Sequence, residues 1–255
     1  DSEGRLHIWK LGGSQPNKDD PLASPGGVSK PDMDGQTRGL HAIIDAHTKS
    51  IGEVSYLYGE PVLVTASMDN SLKMWIFDAA DGSARLLKSR EGHCGYATSV
   101  RYYGGEINTS MRNSVEASSC EILSSGSDGT LRIFNSAVES QNRELSQRPI
   151  LAKLGMRARG EKLPVVTQFD FSEAREADWA NVITCHTNSA NVHLWRYKKN
   201  SITDLILRPA DAISSSSILA KVSGAEFHAT AVAISACGNF CMTGTKGGKI
   251  YVYNA

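Results

Sequence analysis

The chain has 255 residues, 40% of them hydrophobic and 21% charged, so it carries enough apolar material for a folded core. Lysine plus arginine and aspartate plus glutamate both number 27, and a formal charge of zero excludes a protein-wide field that would attract nucleic acid or an anionic membrane. The longest uncharged stretch, 227–245, contains many polar residues, so no membrane span is predicted. Five widely spread cysteines favour a reducing compartment.

Five segments share one pattern, a polar turn followed by alternating apolar residues that end in an aromatic residue. The aromatic residues lie 58 to 66 residues apart and are Trp9, Trp75, Phe134, Trp195 and Tyr253. A period of two predicts a strand entered from a tight turn, and further strand-like runs precede and follow these segments. Four antiparallel strands per unit predict an all-β fold of WD40 β-propeller blades. The chain begins in the middle of such a unit, so we expect an internal piece of a larger protein and an incomplete propeller.

Two insertions lengthen the repeat beyond the roughly 40–45 residues of a minimal WD40 unit. Residues 11–39 hold four of the eight prolines, and this composition predicts a flexible surface segment. Residues 136–162 are basic, and five of their cations are candidates for contact with RNA phosphates: Arg148, Lys153, Arg157, Arg159 and Lys162. The segment lacks aromatic residues for base stacking, which favours the alternative of a solvated loop.

The second unit matches the WD40 pattern most closely. In WD40 proteins a histidine before the first strand, a serine or threonine on the second, a turn aspartate and a tryptophan form a buried hydrogen-bond chain. The resemblance implies this role for His47, Asp69 and Trp75, with the hydroxyl supplied from the run Thr65-Ala66-Ser67. The physical reason is that a buried indole N–H must find an acceptor.

The other units keep parts of this set. The third has His93, Ser125 and Asp128 but ends in Phe134, which cannot donate a hydrogen bond. The fourth has Ser189 in place of the aspartate and lacks the histidine before its first strand, and the fifth has a histidine but ends in tyrosine. We therefore predict structural roles for seven residues: His47, Asp69, Trp75, His93, Asp128, Trp195 and His228.

No residue set predicts catalysis. The His, Asp and Ser residues that resemble a nucleophilic triad recur from unit to unit, and histidines at one per unit do not form a cluster. His228, Cys237 and Cys241 supply three ligands, whereas a structural zinc site takes four. The glycine-rich turn 244–249 joins two strands and matches no phosphate-binding motif. We expect no enzyme activity, cofactor, metal or small-molecule substrate.

Several strings that the blade fold does not require resemble one family. The most specific is Glu-Ala-Arg-Glu-Ala-Asp-Trp at 173–179, and Ala-Ser-Met-Asp-Asn-Ser-Leu-Lys-Met-Trp at 66–75 and Cys-Gly-Asn-Phe at 237–240 add to it. They are similar to the tandem-propeller WD40 proteins associated with U3 small nucleolar RNA, over roughly 46–255. Trp179 in the first string is either an exposed anchor for a partner or an ordinary strand-edge aromatic.

The resemblance implies a nucleolar, hence nuclear, scaffold of the small-subunit processome, within its UTP-B subcomplex. Its partners would be other WD40 proteins of that subcomplex, the U3 snoRNP and pre-ribosomal RNA, and its role would lie in pre-rRNA processing and 18S rRNA maturation. Because the family has two propellers, the insertion 136–162 is a hypothetical seam between them. The alternative function is a peptide-binding WD40 adaptor or ubiquitin-ligase substrate receptor.

Overall fold

A computed structural model describes residues 1–10, 39–57, 60–79, 82–103, 121–155, 162–212 and 224–254. Its strands are β1 (Arg5–Lys10), β2 (Gly39–Asp45), β3 (Ile51–Tyr56), β4 (Val62–Ser67), β5 (Ser71–Ile76), β6 (Arg85–Glu91), β7 (Ala97–Tyr103), β8 (Glu121–Gly126), β9 (Leu131–Asn135), β10 (Arg143–Glu144), β11 (Val166–Phe171), β12 (Val182–His186), β13 (Val192–Arg196), β14 (Ser201–Leu207), β15 (Ala229–Ile234), β16 (Phe240–Thr245) and β17 (Ile250–Asn254). The helices are α1 (Arg148–Lys153) and the 3₁₀ turns Glu139–Gln141, Ala210–Ala212 and Ala225–Phe227. Within these ranges no helix is long and apolar enough to cross a membrane.

Consecutive strands pair into antiparallel sheets. In the described part, β3 to β6, β7 to β10 and β11 to β14 form four-stranded sheets, β15 to β17 form a three-stranded sheet, and β1 and β2 form a two-stranded one. The five repeat aromatics lie on β1, β5, β9, β13 and β17. This succession of small sheets confirms the predicted all-β fold and a partial propeller. The predicted insertion 11–39 lies outside the described residues except for Gly39, the first residue of β2.

The middle strands of the four-stranded sheets are buried on both faces because each of these sheets packs between two neighbours. All six residues of β4 and all five residues of β12 are buried. Val64 on β4 shares a core cluster with Phe134 of the next sheet, and Ile183 on β12 shares one with Val232 of the sheet after it. The apolar core is therefore a series of layers between adjacent sheets.

The open edges of the first strands are capped by side chains from the preceding sheet. The backbone N–H of Val100 on β7 donates to the Glu53 carboxylate at 2.7 Å, and that of Ile234 on β15 donates to the Asp170 carboxylate at 2.7 Å. An uncapped edge would present free N–H groups to other strands. These contacts bind each sheet to the next without extending the hydrogen-bond ladder.

The insertion 136–162 is packed into the core from Leu145 to Ile150, whereas 137–141 is exposed. Leu145 and Ile150 are fully buried in one core cluster with Phe169 and Trp195. The segment also crosses to the outer strand of the following sheet, where the Ser146 N–H donates to the Asn200 carbonyl at 2.8 Å. We call residues 145–154 the strap, because they fasten two sheets together from outside.

One glutamine and one glycine hold the strap in place. The Gln147 side chain donates to the Gly129 carbonyl at 2.6 Å and accepts from the Leu163 N–H at 2.9 Å. Gly129 has a φ of +73°, and a Cβ there would lie 2.2 Å from the Leu163 carbonyl oxygen. Only glycine fits this turn, since any side chain would displace the backbone that the strap contacts.

The sheets on either side of the insertion contact each other directly. Thr98 Oγ1 donates to the Val166 carbonyl at 3.0 Å, and Arg101 pairs with Asp170 at 3.2 Å. The two sheets therefore pack against each other as adjacent blades do. A seam between two propellers at 136–162 stays a hypothesis.

Truncating the strap at its most buried side chain is expected to destabilise the fold. Ile150→Ala removes a fully buried side chain and should lower the free energy of unfolding by about 2–5 kcal/mol. Val138→Ala, at a side chain that is 44% exposed, is the matched control and should change it by less than about 0.5 kcal/mol. Urea unfolding followed by tryptophan fluorescence measures the stability of both variants. Equal unfolding midpoints for the two would contradict a stabilising role of the strap.

Candidate functional site

The second unit forms the predicted hydrogen-bond chain with Thr65 as its hydroxyl. Trp75 Nε1 donates to Thr65 Oγ1 at 3.1 Å, Thr65 Oγ1 lies 2.7 Å from His47 Nε2, and His47 Nδ1 lies 2.9 Å from Asp69 Oδ2. A single tautomer satisfies these distances, with the hydroxyl donating to Nε2 and Nδ1–H donating to the carboxylate. Ser71 completes the set by donating to Asp69 Oδ1 at 2.6 Å.

Burial and hydrogen bonds set the charges of this chain. Burial lowers the pKa of His47 more than the neighbouring Asp69 carboxylate raises it, so the imidazole is neutral at pH 7. Burial acts to raise the pKa of Asp69, but hydrogen bonds from Ser71, His47 and Thr48 outweigh it and hold that pKa well below its ordinary value. The carboxylate is a fixed acceptor, not a proton carrier.

The third unit builds the same network without an indole. His93 Nε2 lies 3.1 Å from Ser124 Oγ, and His93 Nδ1 lies 3.3 Å from Asp128 Oδ1. Phe134 packs its ring against the imidazole at a centroid distance of 5.9 Å. The prediction of Ser125 as the hydroxyl of this network is wrong. Adjacent residues on a strand face opposite sides, so the Ser125 hydroxyl lies 2.8 Å from Thr98 Oγ1 instead.

The fourth unit recruits a histidine that sequence reasoning missed. Trp195 Nε1 donates to Thr184 Oγ1 at 2.8 Å, and Thr184 Oγ1 lies 3.0 Å from His186 Nε2. His186 Nδ1 donates to the Pro164 carbonyl at 2.7 Å, so a backbone acceptor replaces the aspartate. The signal was a Thr-x-His spacing of two on one strand, which places both side chains on the same face.

The same sheet holds a second buried histidine, so the expectation of one histidine per unit is wrong. The rings of His186 and His193 meet edge to face at 5.0 Å. Burial lowers the pKa of His186 to about 4 and that of His193 to about 3. Both imidazoles are neutral at pH 7 and belong to the core.

The fifth unit does not reproduce the chain in its described residues. His228 is half-buried, and its hydrogen bonds among the described residues are made by its backbone: the carbonyl accepts from the Lys246 N–H at 2.9 Å, and the N–H donates to the Ala225 carbonyl at 3.2 Å. Thr243 Oγ1 and the Tyr253 hydroxyl are buried and have no hydrogen-bond partner in the part of the chain that the structure describes. With tyrosine in place of tryptophan, the side-chain donor of Tyr253 is displaced from the Thr243 hydroxyl.

The described members of the predicted RNA-contact set differ in their surroundings. Arg148 is exposed on α1, Lys153 pairs with Asp204 at 2.6 Å, and Lys162 pairs with Glu144 at 3.2 Å. Arg157 and Arg159 lie outside the described residues. Two of the three described cations are therefore neutralised locally, and contact of this set with RNA stays a prediction.

The specific string 173–179 lies at a joint between sheets. Glu176 accepts from the Tyr103 hydroxyl at 2.8 Å and pairs with Lys198 at 3.0 Å. Tyr103 stacks on Tyr197 with ring centroids 3.5 Å apart, and burial raises the pKa of both phenols. Trp179 is 46% exposed, so the string combines a structural carboxylate with an exposed aromatic.

Metal chemistry finds no support in the described part of the chain, where no group of three or more His, Cys, Asp or Glu residues could hold a metal ion. Cys237 is exposed and Cys241 is buried. Burial raises the pKa of the Cys241 thiol to about 11, which keeps it protonated.

Sheets of this kind, closed by histidine, hydroxyl and tryptophan networks, define a WD40 propeller segment. The family model "WD domain, G-beta repeat" matches residues 39–75. The model "WDR36/Utp21 second beta-propeller domain" matches residues 98–255, more than half of the chain and across the strap. The chain belongs to the WDR36/Utp21 family.

Curated relatives agree with this assignment. WD repeat-containing protein 36 of Homo sapiens is 34% identical over 221 residues, which cover 84% of this chain and 22% of that protein. The U3 small nucleolar RNA-associated protein 21 homolog of Schizosaccharomyces pombe is 34% identical over 213 residues, 82% of this chain and 21% of that protein. U3 small nucleolar RNA-associated protein 21 of Saccharomyces cerevisiae is 27% identical over 239 residues, 88% of this chain and 23% of that protein. The chain spans about a fifth of the length of these relatives.

We propose that the networks stabilise the sheets and do no chemistry. Thr65→Val keeps the shape of the side chain but leaves the Trp75 N–H without its acceptor, so the free energy of unfolding should fall by about 1–3 kcal/mol. Thr230→Val, at an exposed threonine, is the control and should leave stability within about 0.5 kcal/mol. If urea unfolding gave the same midpoint for Thr65→Val and the unchanged protein, the structural role would be refuted.

The buried histidine pair predicts a pH dependence of stability. The unfolded chain protonates both imidazoles near pH 6.5, whereas the folded chain resists until about pH 4 and about pH 3. The stability gained from neutral, buried imidazoles is therefore present above pH 6.5 and is lost as the pH falls below it. His193→Leu removes one of the two groups, and its unfolding free energy should decline less steeply between pH 6.5 and 4.

Titration of the buried carboxylates falls outside the pH range of this test. Asp69 and Asp128 have lowered pKa values, so their contribution is lost only below their ordinary unfolded range near pH 4. Identical slopes for His193→Leu and the unchanged protein between pH 6.5 and 4 would show that the pair is not buried and neutral.

Proposed function

We propose that this chain is a non-catalytic scaffold segment of a U3-associated protein that acts in ribosome biogenesis. The observation that carries the proposal is the match to the second propeller domain of the WDR36/Utp21 family across 98–255. Two relatives are named for association with U3 small nucleolar RNA, and their role is transferred here as part of the proposal. The finer assignment is to the small-subunit processome and its UTP-B subcomplex, in the nucleolus, with a role in pre-rRNA processing and 18S rRNA maturation.

The geometry supports a scaffold because the residues of catalytic type are committed to the fold. His47 and His93 are held between hydroxyls and carboxylates inside their sheets, and their side chains are almost fully inaccessible. A general base must reach the proton it abstracts from a substrate, and these imidazoles face the core. Rigid sheets with partner-facing turns suit a protein that positions other molecules.

The proposed partners are other WD40 proteins of the UTP-B subcomplex and the U3 snoRNP with its pre-ribosomal RNA. Trp179 is an attractive contact for a protein partner, since exposed tryptophans next to charged residues are frequent energetic centres of interfaces. Its backbone N–H donates to the Arg175 carbonyl at 3.0 Å, so the turn that presents it is ordered.

Affinity purification of the complete protein from cells tests the proposal. We expect recovery of U3 small nucleolar RNA and other processome WD40 proteins, and depletion of the protein should reduce mature 18S rRNA. Rescue by Thr230→Val, which changes only an exposed side chain, should be as complete as rescue by the unchanged protein. Recovery of cullin components without U3 RNA would instead support the substrate-receptor alternative and overturn the scaffold assignment.

A further inference from the structure

A row of basic side chains lines the outer seam between the sheet β3 to β6 and the sheet β7 to β10. Lys88 Nζ reaches across the seam and donates to the Ser136 carbonyl at 2.7 Å. At the other end, Gly92 approaches Arg132 so closely that a Cβ on Gly92 would lie 3.3 Å from Arg132 Nη1. Arg90 lies between these two contacts and, by strand alternation, on the same face as Lys88.

The row continues onto the next strand through a shared carboxylate. Arg132 Nη2 pairs with Glu144 Oε2 at 2.7 Å, and Lys162 Nζ pairs with Glu144 Oε1 at 3.2 Å. We call Lys88, Arg90, Arg132 and Lys162 the seam cations. Among the described residues Glu144 is the one carboxylate that pairs with any of them, so the seam carries an excess of positive charge although the whole chain is neutral.

The seam cations also have unused hydrogen-bonding capacity. Within the described ranges, the Nε groups of Arg90 and Arg132 are buried and have no acceptor. Lys88 donates to backbone carbonyls alone, the second being that of Ala137 at 3.2 Å. These Nε atoms are closed to solvent, so an anion at the seam would bind the terminal amino groups of the two half-buried arginine side chains.

The spacing of the row suits a linear polyanion. Lys88 and Arg90 are two residues apart on one strand, which separates them by roughly 7 Å along the seam. Both side chains are half-buried, so their positions are restricted by the neighbouring sheet while their charged ends stay accessible. Restricted cations lose less side-chain entropy on binding than free ones.

We propose that the seam cations bind the phosphate backbone of single-stranded RNA; this inference rests on the proposed function. The charge of the seam cations is complementary to a polyanion and carries this choice of partner, although Leu86, Leu87 and Val138 are exposed beside the seam; the aromatic residue of the seam, Phe134, is 2% exposed and offers no ring for base stacking. Binding without base stacking is independent of sequence and strongly dependent on salt. The phosphate-binding surface consists of the four seam cations. Of the residues predicted on 136–162 to contact RNA, it includes Lys162.

Fluorescence anisotropy with a mixed-sequence, single-stranded RNA 20-mer and the complete protein tests the proposal. Lys88→Gln combined with Arg90→Gln should weaken binding roughly 25-fold at 0.1 M salt and reduce the slope of log affinity against log salt by about 1.4. Lys199→Gln combined with Lys246→Gln makes the same charge change at exposed turns and should leave both quantities unchanged.

A third variant keeps the test independent of folding. Glu144→Gln removes the single paired carboxylate, so it should strengthen RNA binding roughly fivefold at 0.1 M salt, a gain that partial unfolding would not produce. Equal affinity of the Lys88/Arg90 double variant and the unchanged protein would overturn the proposal. So would preferential binding of hexaglutamate over RNA with the same dependence on the seam cations, which would assign the surface to an acidic protein partner.

The two proposals fail in different ways. If the unchanged protein recovers no U3 RNA from cells, the proposed function fails whatever the variants do. If it recovers U3 RNA but the double variant binds RNA as tightly as the unchanged protein, only the seam assignment fails.

Discussion

The four-stranded sheets of this protein bury both of their faces against neighbouring sheets. The sheets are narrow, and strands such as β4 and β12 have no solvent-facing side. A sheet with two buried faces has no stable existence alone, so the free energy of folding comes from the layers between sheets. Hydroxyls on these strands lie in the core, and each needs a partner there.

The histidine networks meet that requirement in a way that depends on position in space. Thr65, Ser124 and Thr184 each contact an imidazole, although His47 and His93 precede their sheets and His186 lies on the same strand as its threonine. A carboxylate or a backbone carbonyl then orients the imidazole. The buried hydroxyl needs a neutral imidazole as its partner. That imidazole can come from the segment before the sheet or from the same strand. The fifth unit lacks such an imidazole, and among the described residues the buried Thr243 hydroxyl has no hydrogen-bond partner.

The repeat of strands and aromatic residues could be predicted because side-chain alternation is local. His47, Asp69 and Trp75 could be assigned because this unit matches the WD40 pattern, in which these residue types occupy these positions. The choice between Ser124 and Ser125 depended on the strand register, which shifts at a bulge between Ala97 and Ser99. The strap could not be foreseen, because Leu145 and Ile150 pack into a core cluster that two neighbouring sheets form only when they come together. Lys88, Arg90 and Arg132 were missed because Lys88 and Arg132 come together only when the sheets pack.

The proposed function requires rigidity together with surface charge. A scaffold positions partners only if its blades keep a fixed relation, and the strap and the stacked tyrosines provide that at one joint. Hydrogen–deuterium exchange of the complete protein tests this most directly at the amides of Leu145, Leu151 and Leu154, which donate to the carbonyls of Leu131, Gln147 and Ile150. We predict exchange as slow as in β12, as one cooperative unit. Exchange as fast as in exposed turns would contradict a rigid, strapped pair of blades.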